Sequence, residues 1–281
     1  MKLLFRLHSV LFLSLFYLAC FAPVVQSGEA LDRVLKSGVL RIPNNSSWPP
    51  YSFIGADGKI TGFDIEVAAE VALRLGVRLE ILPNPSSLTY TWAEQTSGRW
   101  NGAYDAVIGS MTPTAKRDLN LDFPVVYYYA IASLAAHRDD TAINVPADAS
   151  GKRVGVMKAA NYEMYVRREP LGILGMEPPV YKIDNPAVVT FDAGTGPYDA
   201  LEKREVDAFI EYLPTIMRLI EEGRPFKVIG TPLYRVPQAV AIQPGDPEFA
   251  AVIKKAVDDM REDGTLRQLS LKWFSSDMTA E

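Results

Sequence analysis

The chain has 281 residues, enough for two lobes that each bury a core. A hydrophobic fraction of 48% and a charged fraction of 22% are those of a globular protein, which excludes disorder along most of its length. The formal net charge of −5 gives no basic footprint for nucleic acid, so we expect no nucleic-acid partner.

The counts of cysteine and histidine limit the chemistry further. Cys20 is the only cysteine, and His8 and His137 are the only histidines. These counts exclude a cysteine-rich zinc site, an iron–sulfur cluster and a disulfide framework. We therefore expect no metal site and no cofactor.

The N-terminal segment has the pattern of a secretory signal peptide. Lys2 and Arg6 precede an apolar run over residues 10–19 that only Ser14 interrupts. A basic start followed by a short apolar core is typical of a signal, and the run is too short to span a bilayer as a permanent helix. We predict that residues 1–27 are a signal peptide and that the mature protein is periplasmic.

Two processing sites are consistent with this segment. Val25 and Ser27 occupy the small-residue positions of an ordinary cleavage site, which gives a mature protein that begins at Gly28. Alternatively, residues 18–20 resemble the end of a lipoprotein box, in which Cys20 would be acylated and would anchor the protein to a membrane. Both alternatives place the folded part of the chain outside the cytoplasm.

Along the first half of the chain, predicted strands alternate with predicted helices. In chain order we predict a helix over 31–36 that ends at Gly38, a strand over 39–42, a loop over 44–50, a hairpin turn at Asp57–Gly58, a helix that Asp64 caps and Gly76 ends, and strands over 77–82 and 103–108. This alternation predicts a mostly parallel sheet with helices on its faces.

The alternation begins again in the second half. In chain order we predict a long apolar segment over 127–136, a strand over 154–157, a helix from Asn161, strands near Val180 and over 207–210, a helix over 214–222, a strand over 236–242, and helices over 247–262 and 265–274. The second half therefore contains its own βα set.

These patterns predict two α/β lobes, the second inserted into the first. The connecting strands would lie near 131–137 and 236–242. The first lobe would comprise residues 28–133 and 237–281, and the second lobe residues 134–236. A crevice between two such lobes, at the carboxyl ends of parallel strands, is where ligands bind.

Four stretches of the chain carry a specific motif pattern. They are LDRVLKSGVLR at 31–41, GFDIE at 62–66, YDAVIGSMT with a following Lys116-Arg117 and DFP within 104–124, and GKRVGV at 151–156. In order and spacing they resemble, over residues 29–275, the family 3 solute-binding proteins of ABC transporters, which bind polar amino acids. The resemblance implies the two-lobe periplasmic binding protein (Venus flytrap) fold and a monomer that delivers its solute to an ABC permease in the inner membrane.

The resemblance assigns Arg117 to the carboxylate of the ligand. A guanidinium is permanently charged, and its paired N–H donors match two carboxylate oxygens. Residues 114–116 would place Arg117 in the first turn of a short helix. By the same resemblance, Ser110, Met111 and Thr112 line the site.

Trp48 falls where the family places an aromatic ring that stacks on the ligand. Pro49 and Pro50 follow it and stiffen the loop, so the ring would be held at a low entropic cost. We therefore include Trp48 among the residues expected to bind the ligand.

On the second lobe the sequence departs from the family pattern. Asn161 stands where many amino-acid binders have a hydroxyl-rich stretch, and it can still donate from its side chain and from a helix start. The acid that usually pairs the ligand ammonium aligns with Tyr212. Glu211 is adjacent, but neighbours on a strand point to opposite faces unless the strand ends or bulges there. We include Asn161, Glu211 and Tyr212 among the residues expected to bind the ligand. An amino acid, a keto acid, an aromatic acid and a dicarboxylic acid all remain candidate ligands.

An enzyme on the same scaffold is the alternative function. Periplasmic cyclohexadienyl dehydratase is similar to this family, but the position of its acidic residue aligns with Thr215, which cannot act as a general acid near neutral pH. We therefore expect a binding protein without catalytic activity. A ligand-sensing or accessory periplasmic module is a third possibility.

Overall fold

A computed structural model of the chain describes residues 28–43, 47–82, 92–192 and 195–280. The predicted signal peptide and the predicted acylation of Cys20 lie outside these residues. No helix in this part of the chain is long and apolar enough to cross a membrane.

The helices follow the sequence predictions closely where their ends carry strong signals. The last two run over the predicted residues because Asp246 caps one of them and Gly264 separates it from the other. The helices are α1 (Glu29–Ser37), α2 (Phe63–Arg74), α3 (Trp92–Ser97), α4 (Ala115–Asp118), α5 (Asn161–Val166), α6 (Gly196–Glu202), α7 (Leu213–Glu221), α8 (Pro247–Glu262) and α9 (Thr265–Phe274), with a 3-10 turn at Pro146–Ala149.

The strands form a small parallel pair, a small antiparallel sheet and one large mixed sheet. Strand β1 pairs with β5, and β2, β3 and β4 form the antiparallel sheet. The large sheet has the order β6-β11-β7-β10-β8-β9. The strands are β1 (Val39–Pro43), β2 (Ser47–Trp48), β3 (Ser52–Ile54), β4 (Ile60–Thr61), β5 (Arg78–Leu82), β6 (Ala106–Met111), β7 (Asp122–His137), β8 (Arg153–Met157), β9 (Ala187–Phe191), β10 (Ala208–Tyr212) and β11 (Phe226–Ile242).

Two long antiparallel strands, β7 and β11, connect the two lobes. The last part of β11 pairs with β6 of the first lobe, whereas the last part of β7 pairs with β10 of the second lobe. The two strands pair with each other on both sides of a register shift between Ile229 and Tyr234. We propose that this change of partner marks the lobe boundaries, with residues 28–133 and 237–281 on one side and 134–236 on the other.

Several sequence predictions are wrong. The large sheet is mixed rather than mostly parallel, because the long strands β7 and β11 pair antiparallel with each other and with their neighbours. The predicted loop over 44–50 contains the short strand β2. No strand lies near Val180 in the described part of the second lobe, because Pro178 and Pro179 lack N–H donors and the Val180 side chain is 75% exposed. The strand of this region is β9 instead.

Asp64 does not cap α2. The N-cap is Gly62, whose φ of 129° and whose contact with the backbone of Tyr51 leave no room for a Cβ atom. Asp64 lies inside the first turn, and its carboxylate is buried. Asp64 is therefore a buried residue beneath the crevice between the lobes, and it does not cap the helix.

Polar residues lie at the ends of strands in the large sheet, next to the crevice between the lobes. Thr112 follows the last residue of β6, and Tyr212 is the last residue of β10. Asn161 begins the helix that follows β8. This is the arrangement expected for a ligand site at the carboxyl ends of strands in an open α/β sheet.

Candidate functional site

Arg117 lies in the short helix α4, on the first-lobe side of the crevice. The Thr114 hydroxyl caps this helix by accepting a hydrogen bond from the Arg117 N–H at 3.3 Å. The guanidinium Nη1 donates to the carbonyl oxygen of Thr112 at 2.7 Å, and its Cζ lies 5.2 Å from the centre of the Trp92 ring. The local structure therefore fixes the direction of the side chain.

Burial changes the acidity of Arg117 without removing its charge. Desolvation lowers the pKa of the guanidinium to about 10, and the nearby Tyr212 of the second lobe acts in the opposite direction. The group is therefore protonated at neutral pH, partly desolvated and close to both lobes. A carboxylate that displaced the Thr112 carbonyl would meet a strong, oriented donor.

Across the crevice, four buried uncharged side chains form one hydrogen-bonded group, which we call the amide–hydroxyl cluster: Thr112, Asn161, Tyr212 and Gln238. The Asn161 Nδ2 donates to the Thr112 hydroxyl at 3.0 Å and to the Tyr212 hydroxyl at 2.9 Å. The Gln238 Nε2 donates to the same two hydroxyls at 3.1 and 2.9 Å. The cluster joins the first lobe, the second lobe and the connecting strand β11.

The cluster continues on its second-lobe side. The Tyr234 hydroxyl donates to Asn161 Oδ1 at 2.8 Å, which orients the amide so that its nitrogen faces the two hydroxyls. Burial raises the pKa of Tyr212, so its hydroxyl is neutral at physiological pH. The polar surface of the second lobe at this point is therefore uncharged.

Aromatic rings close the other side of the crevice. The half-buried Trp48 lies in β2, with its ring centre 4.5 Å from that of Tyr51 and 6.0 Å from that of Tyr212. Tyr51 in turn lies 6.3 Å from Tyr212 in an edge-on arrangement. Trp48 is thus positioned between the lobes, where the sequence analysis expects it.

Ser110 and Met111 lie deeper than Thr112. The Ser110 hydroxyl donates to Asp64 Oδ2 at 2.8 Å and accepts from the Tyr128 hydroxyl at 2.6 Å, and the Tyr127 hydroxyl donates to Asp64 Oδ1. Desolvation raises the pKa of Asp64 to about 7 even though these hydrogen bonds oppose the shift.

The Met111 side chain packs in the core cluster with Trp100 and Tyr104. The whole residue is buried, and Met111 pairs with Ala239 in the sheet, so it does not line the open part of the crevice. The Ser110 backbone has a positive φ of 52°, and its N–H already donates to the Tyr127 hydroxyl at 2.7 Å. Residues 110 and 111 thus support Thr112 from below.

Glu211, which the sequence predicts to be a ligand-binding residue, is instead turned into the second lobe. Its carboxylate accepts hydrogen bonds from the hydroxyls of Tyr162 and Tyr198, each at 2.6 Å, and from the Tyr212 N–H at 2.7 Å. Burial raises the pKa of this carboxyl. Glu211 and Tyr212 therefore face different surroundings, as expected for neighbours on a strand.

A backbone bridge joins the lobes beside Arg117. The Ala115 N–H at the start of α4 donates to the carbonyl of Gly172 at 2.7 Å, and the Leu174 N–H donates to the carbonyl of Pro113 at 3.1 Å. Thr114 and Ile173 pair between these bonds in an isolated antiparallel bridge. We call these two segments, residues 113–115 and 172–174, the interlobe bridge.

The structure adds residues that the sequence analysis does not identify. Gln238 and Tyr234 complete the cluster. Gln238 is a polar residue within the otherwise apolar strand over 236–242. This break in the apolar pattern is the sequence signal that could have identified Gln238 as a site residue. Across the ranges that the structure describes, no group of acidic, histidine or cysteine side chains could hold a metal ion.

Comparisons with known proteins agree on one family. The model of the bacterial extracellular solute-binding proteins, family 3, matches residues 40–276. The L-cystine-binding protein TcyJ of Escherichia coli (strain K12) is 29% identical over 251 residues, which cover 89% of this chain and 87% of that protein. An L-arginine-binding protein of Pseudomonas aeruginosa is 26% identical over 250 residues, which cover 85% of this chain and 89% of that protein.

A solved structure extends the likeness to the fold. The ancestral amino acid-binding protein AncCDT-1, described as a precursor of cyclohexadienyl dehydratase, matches with a TM-score of 0.72 and 26% sequence identity. The match covers 87% of this chain and 99% of that one. The two-lobe architecture is therefore shared along nearly the whole of the ancestral protein.

Proposed function

Because the chain belongs to family 3 of the bacterial extracellular solute-binding proteins, we propose that it captures a small carboxylate-bearing solute between its lobes and delivers it to an ABC permease in the inner membrane. The observation that carries this proposal is the position of Arg117. Its charged and largely desolvated guanidinium is held at the crevice by the Thr112 carbonyl and the Trp92 ring.

Ligand capture would begin on the first lobe. A carboxylate would replace the Thr112 carbonyl on Arg117 with two parallel hydrogen bonds, and an apolar part of the ligand would lie against Trp48. A hydrogen bond to a charged group contributes about 1.5–3 kcal/mol, and exclusion of water on closure strengthens it. This contact would therefore account for a large part of the binding free energy.

Closure would follow about β7 and β11. Hinge closure of two lobes is the motion of periplasmic binding proteins. Asn161 and Tyr212 would then meet Thr112 and Gln238, and the interlobe bridge would form beside Arg117. The closed form presents surfaces of both lobes together, which allows a permease to distinguish it from the open form.

The names of the relatives narrow the class of solute. One is an L-cystine-binding protein and another an L-arginine-binding protein, so both bind an amino acid. We propose that this chain binds an amino acid or a related organic acid as a monomer.

Export of the protein is part of the same proposal. We propose that residues 1–27 direct it to the periplasm, with acylation of Cys20 as the alternative form of processing. The intact mass of the protein purified from the producing cell tests this directly. A chain that begins at Gly28 supports cleavage, a diacylated chain that begins at Cys20 supports anchoring, and an intact Met1 in the periplasmic fraction contradicts both.

A thermal-shift screen tests the binding function. We expect one or more L-amino acids, 2-keto acids, 2-hydroxy acids or small dicarboxylic acids to raise the melting temperature by mass action. The variant Arg117→Ala should lose this stabilisation while its ligand-free melting curve stays cooperative.

The variant Lys116→Ala is the matched control. It removes the same charge from the neighbouring, exposed position of α4 and should retain the stabilisation. Equal stabilisation of wild type and Arg117→Ala would contradict the assignment of the site.

A dehydratase activity is the second candidate, because AncCDT-1 is described as a precursor of cyclohexadienyl dehydratase. Thr215, the position that aligns with the acidic residue of that enzyme, is buried, and its hydroxyl lies 3.5 Å from the carbonyl oxygen of Pro49. A threonine hydroxyl does not donate a proton to a leaving group near neutral pH. Incubation with prephenate or arogenate should therefore yield no aromatic product.

A ligand-sensing or accessory module would use the same crevice without a permease. Capture of the ligand-loaded protein by a reconstituted permease distinguishes the two roles, since a sensor or accessory protein would not stimulate transport.

A further inference from the structure

The groups that join the two lobes across the crevice are uncharged. The amide–hydroxyl cluster consists of two amides and two hydroxyls, and the interlobe bridge consists of backbone groups. At the crevice the lobes also meet through the Thr215 hydroxyl, which lies 3.5 Å from the Pro49 carbonyl oxygen, and through the aromatic rings of Trp48, Tyr51 and Tyr212. Arg117 is the charged side chain that the structure places among these groups.

The two buried carboxyls nearest to this region are engaged within their own lobes. Asp64 accepts hydrogen bonds from Ser110 and Tyr127 beneath the crevice, and Glu211 accepts from Tyr162 and Tyr198 inside the second lobe. Burial raises the pKa of both carboxyls, that of Asp64 to about 7. Neither replaces an acid that faces the ligand.

The net charge of the ligand then decides how well it fits. A carboxylic acid with an uncharged second group carries one negative charge and neutralises Arg117. A zwitterionic α-amino acid neutralises Arg117 with its carboxylate but brings an ammonium. Among the crevice residues that the structure describes, this ammonium meets amides, hydroxyls and aromatic rings and no free carboxylate. A buried charge without a charged partner is costly. A hydroxyl or keto oxygen of the ligand, in contrast, can accept from the Asn161 or Gln238 amide in exchange for one of the hydrogen bonds that these amides donate to Thr112 and Tyr212.

The amide–hydroxyl cluster also lies where it could contact a ligand group that is close to the ligand's carboxylate. Thr112 accepts from Arg117 through its carbonyl and from Asn161 and Gln238 through its hydroxyl. The carboxylate-binding group and the amide–hydroxyl cluster therefore contact the same residue. A substituent on the carbon next to the carboxylate would reach the cluster. We propose that the crevice selects 2-hydroxy or 2-keto carboxylic acids of net charge −1 over the α-amino acids of the same carbon skeleton. This inference rests on the proposed capture of a carboxylate by Arg117.

Calorimetric titration with matched ligands tests the inference. The probes are lactate, pyruvate and alanine, then the hydroxy, keto and amino acids with the leucine skeleton, then those with the phenylalanine skeleton. For each skeleton that binds, we expect the hydroxy or keto acid to bind at least about tenfold more tightly than the amino acid.

Two variants place an acid in the cluster. Tyr212→Asp and the nearly isosteric Gln238→Glu should each shift the preference toward the amino acid by about tenfold or more, because the ammonium then gains an anionic partner. Met217→Glu adds the same charge on α7, where the Met217 side chain is 43% exposed, and should leave the preference unchanged. Since the wild-type ranking is itself decisive, the test does not depend on the folding of either cluster variant.

The outcomes separate this inference from the proposed function. If an amino acid binds wild type as tightly as its hydroxy and keto counterparts, and Arg117→Ala abolishes that binding, the inference is overturned and the proposed function stands. If the bound acids are insensitive to Arg117→Ala, or none of the probes binds, both are overturned.

Discussion

The Asn161 Nδ2 of the second lobe donates a hydrogen bond to the Thr112 hydroxyl of the first lobe across a distance of 3.0 Å. Both side chains are buried, and the Tyr234 hydroxyl holds the Asn161 amide in this orientation. Thr112 also accepts from Arg117 through its carbonyl. The residue expected to hold the ligand and the residue that closes over it are therefore connected through Thr112.

Removal of this connection should weaken closure. We expect Asn161→Ala to lower the affinity for the best-binding acid by about tenfold, since the hydrogen bonds that it loses are worth about 1 kcal/mol each. Calorimetry measures the affinity, and small-angle scattering should show a smaller contraction on ligand addition. Lys158→Ala removes an exposed side chain of the same lobe and should behave as wild type. An unchanged affinity in Asn161→Ala would contradict the role of the cluster in closure.

The interlobe bridge should slow the release of ligand. Leu174→Pro removes the N–H that donates to Pro113, whereas Leu174→Ala shortens the side chain and keeps that donor. Because this bond joins the lobes, its loss favours the open form, and we expect ligand dissociation about fivefold faster in Leu174→Pro than in Leu174→Ala. Stopped-flow chase experiments measure both rates. Equal rates would show that the bridge contributes nothing to closure.

Asp64 should make the stability of the protein depend on pH. Its pKa is about 7 in the folded protein, against an ordinary value of 3.8 for an aspartate. A carboxyl with a raised pKa binds its proton more tightly in the folded state, so its contribution is present at low pH and is lost as the pH rises through about 7. We expect the free energy of unfolding to fall between about pH 4 and pH 7 by on the order of 3–4 kcal/mol through this group.

Denaturant unfolding of wild type and Asp64→Asn at several pH values measures this dependence. The variant should show a shallower decline over the same interval, because asparagine does not titrate. Its decline does not vanish, since burial also raises the pKa of Glu211. Identical slopes for the two proteins would rule out Asp64 as a titrating group in this range.

Trp48 should report ligand binding. Its ring is half-buried between Tyr51 and Tyr212, so a ligand that enters the crevice changes its surroundings. We expect a ligand-dependent change of tryptophan emission that Trp48→Phe abolishes. Trp273→Phe alters a ring that packs on Phe53 and lies under Lys272, and it should retain the change. An undiminished change of emission in Trp48→Phe would show that the ligand does not bind beside this ring.

The sequence predicts the elements of the fold better than the contacts of the site. The bounds of α8 and α9 follow from local signals at Asp246, Pro247 and Gly264, and hydrophobic periodicity identifies most strands. The predicted strand near Val180 is absent from the described residues, because the two prolines that precede this apolar residue lack the N–H donors that a strand needs.

The polar contacts of the site depend on pairs that are distant in the chain. Asp64 has the sequence position of a cap, yet it reaches Ser110, 46 residues away, and Gln238 reaches Thr112 over 126 residues. No local pattern specifies such partners, because they are set by the packing of whole elements. The position of Arg117 was predictable, since Thr114 and the short helix are local features.

The decisive experiment for the role of Arg117 is a crystal structure of the protein in complex with the acid that binds most tightly. We expect the ligand carboxylate to lie between closed lobes with both oxygens within hydrogen-bond distance of the Arg117 guanidinium, in place of the Thr112 carbonyl. A ligand bound at another surface, or a carboxylate in the crevice while Arg117 still donates to Thr112, would contradict it.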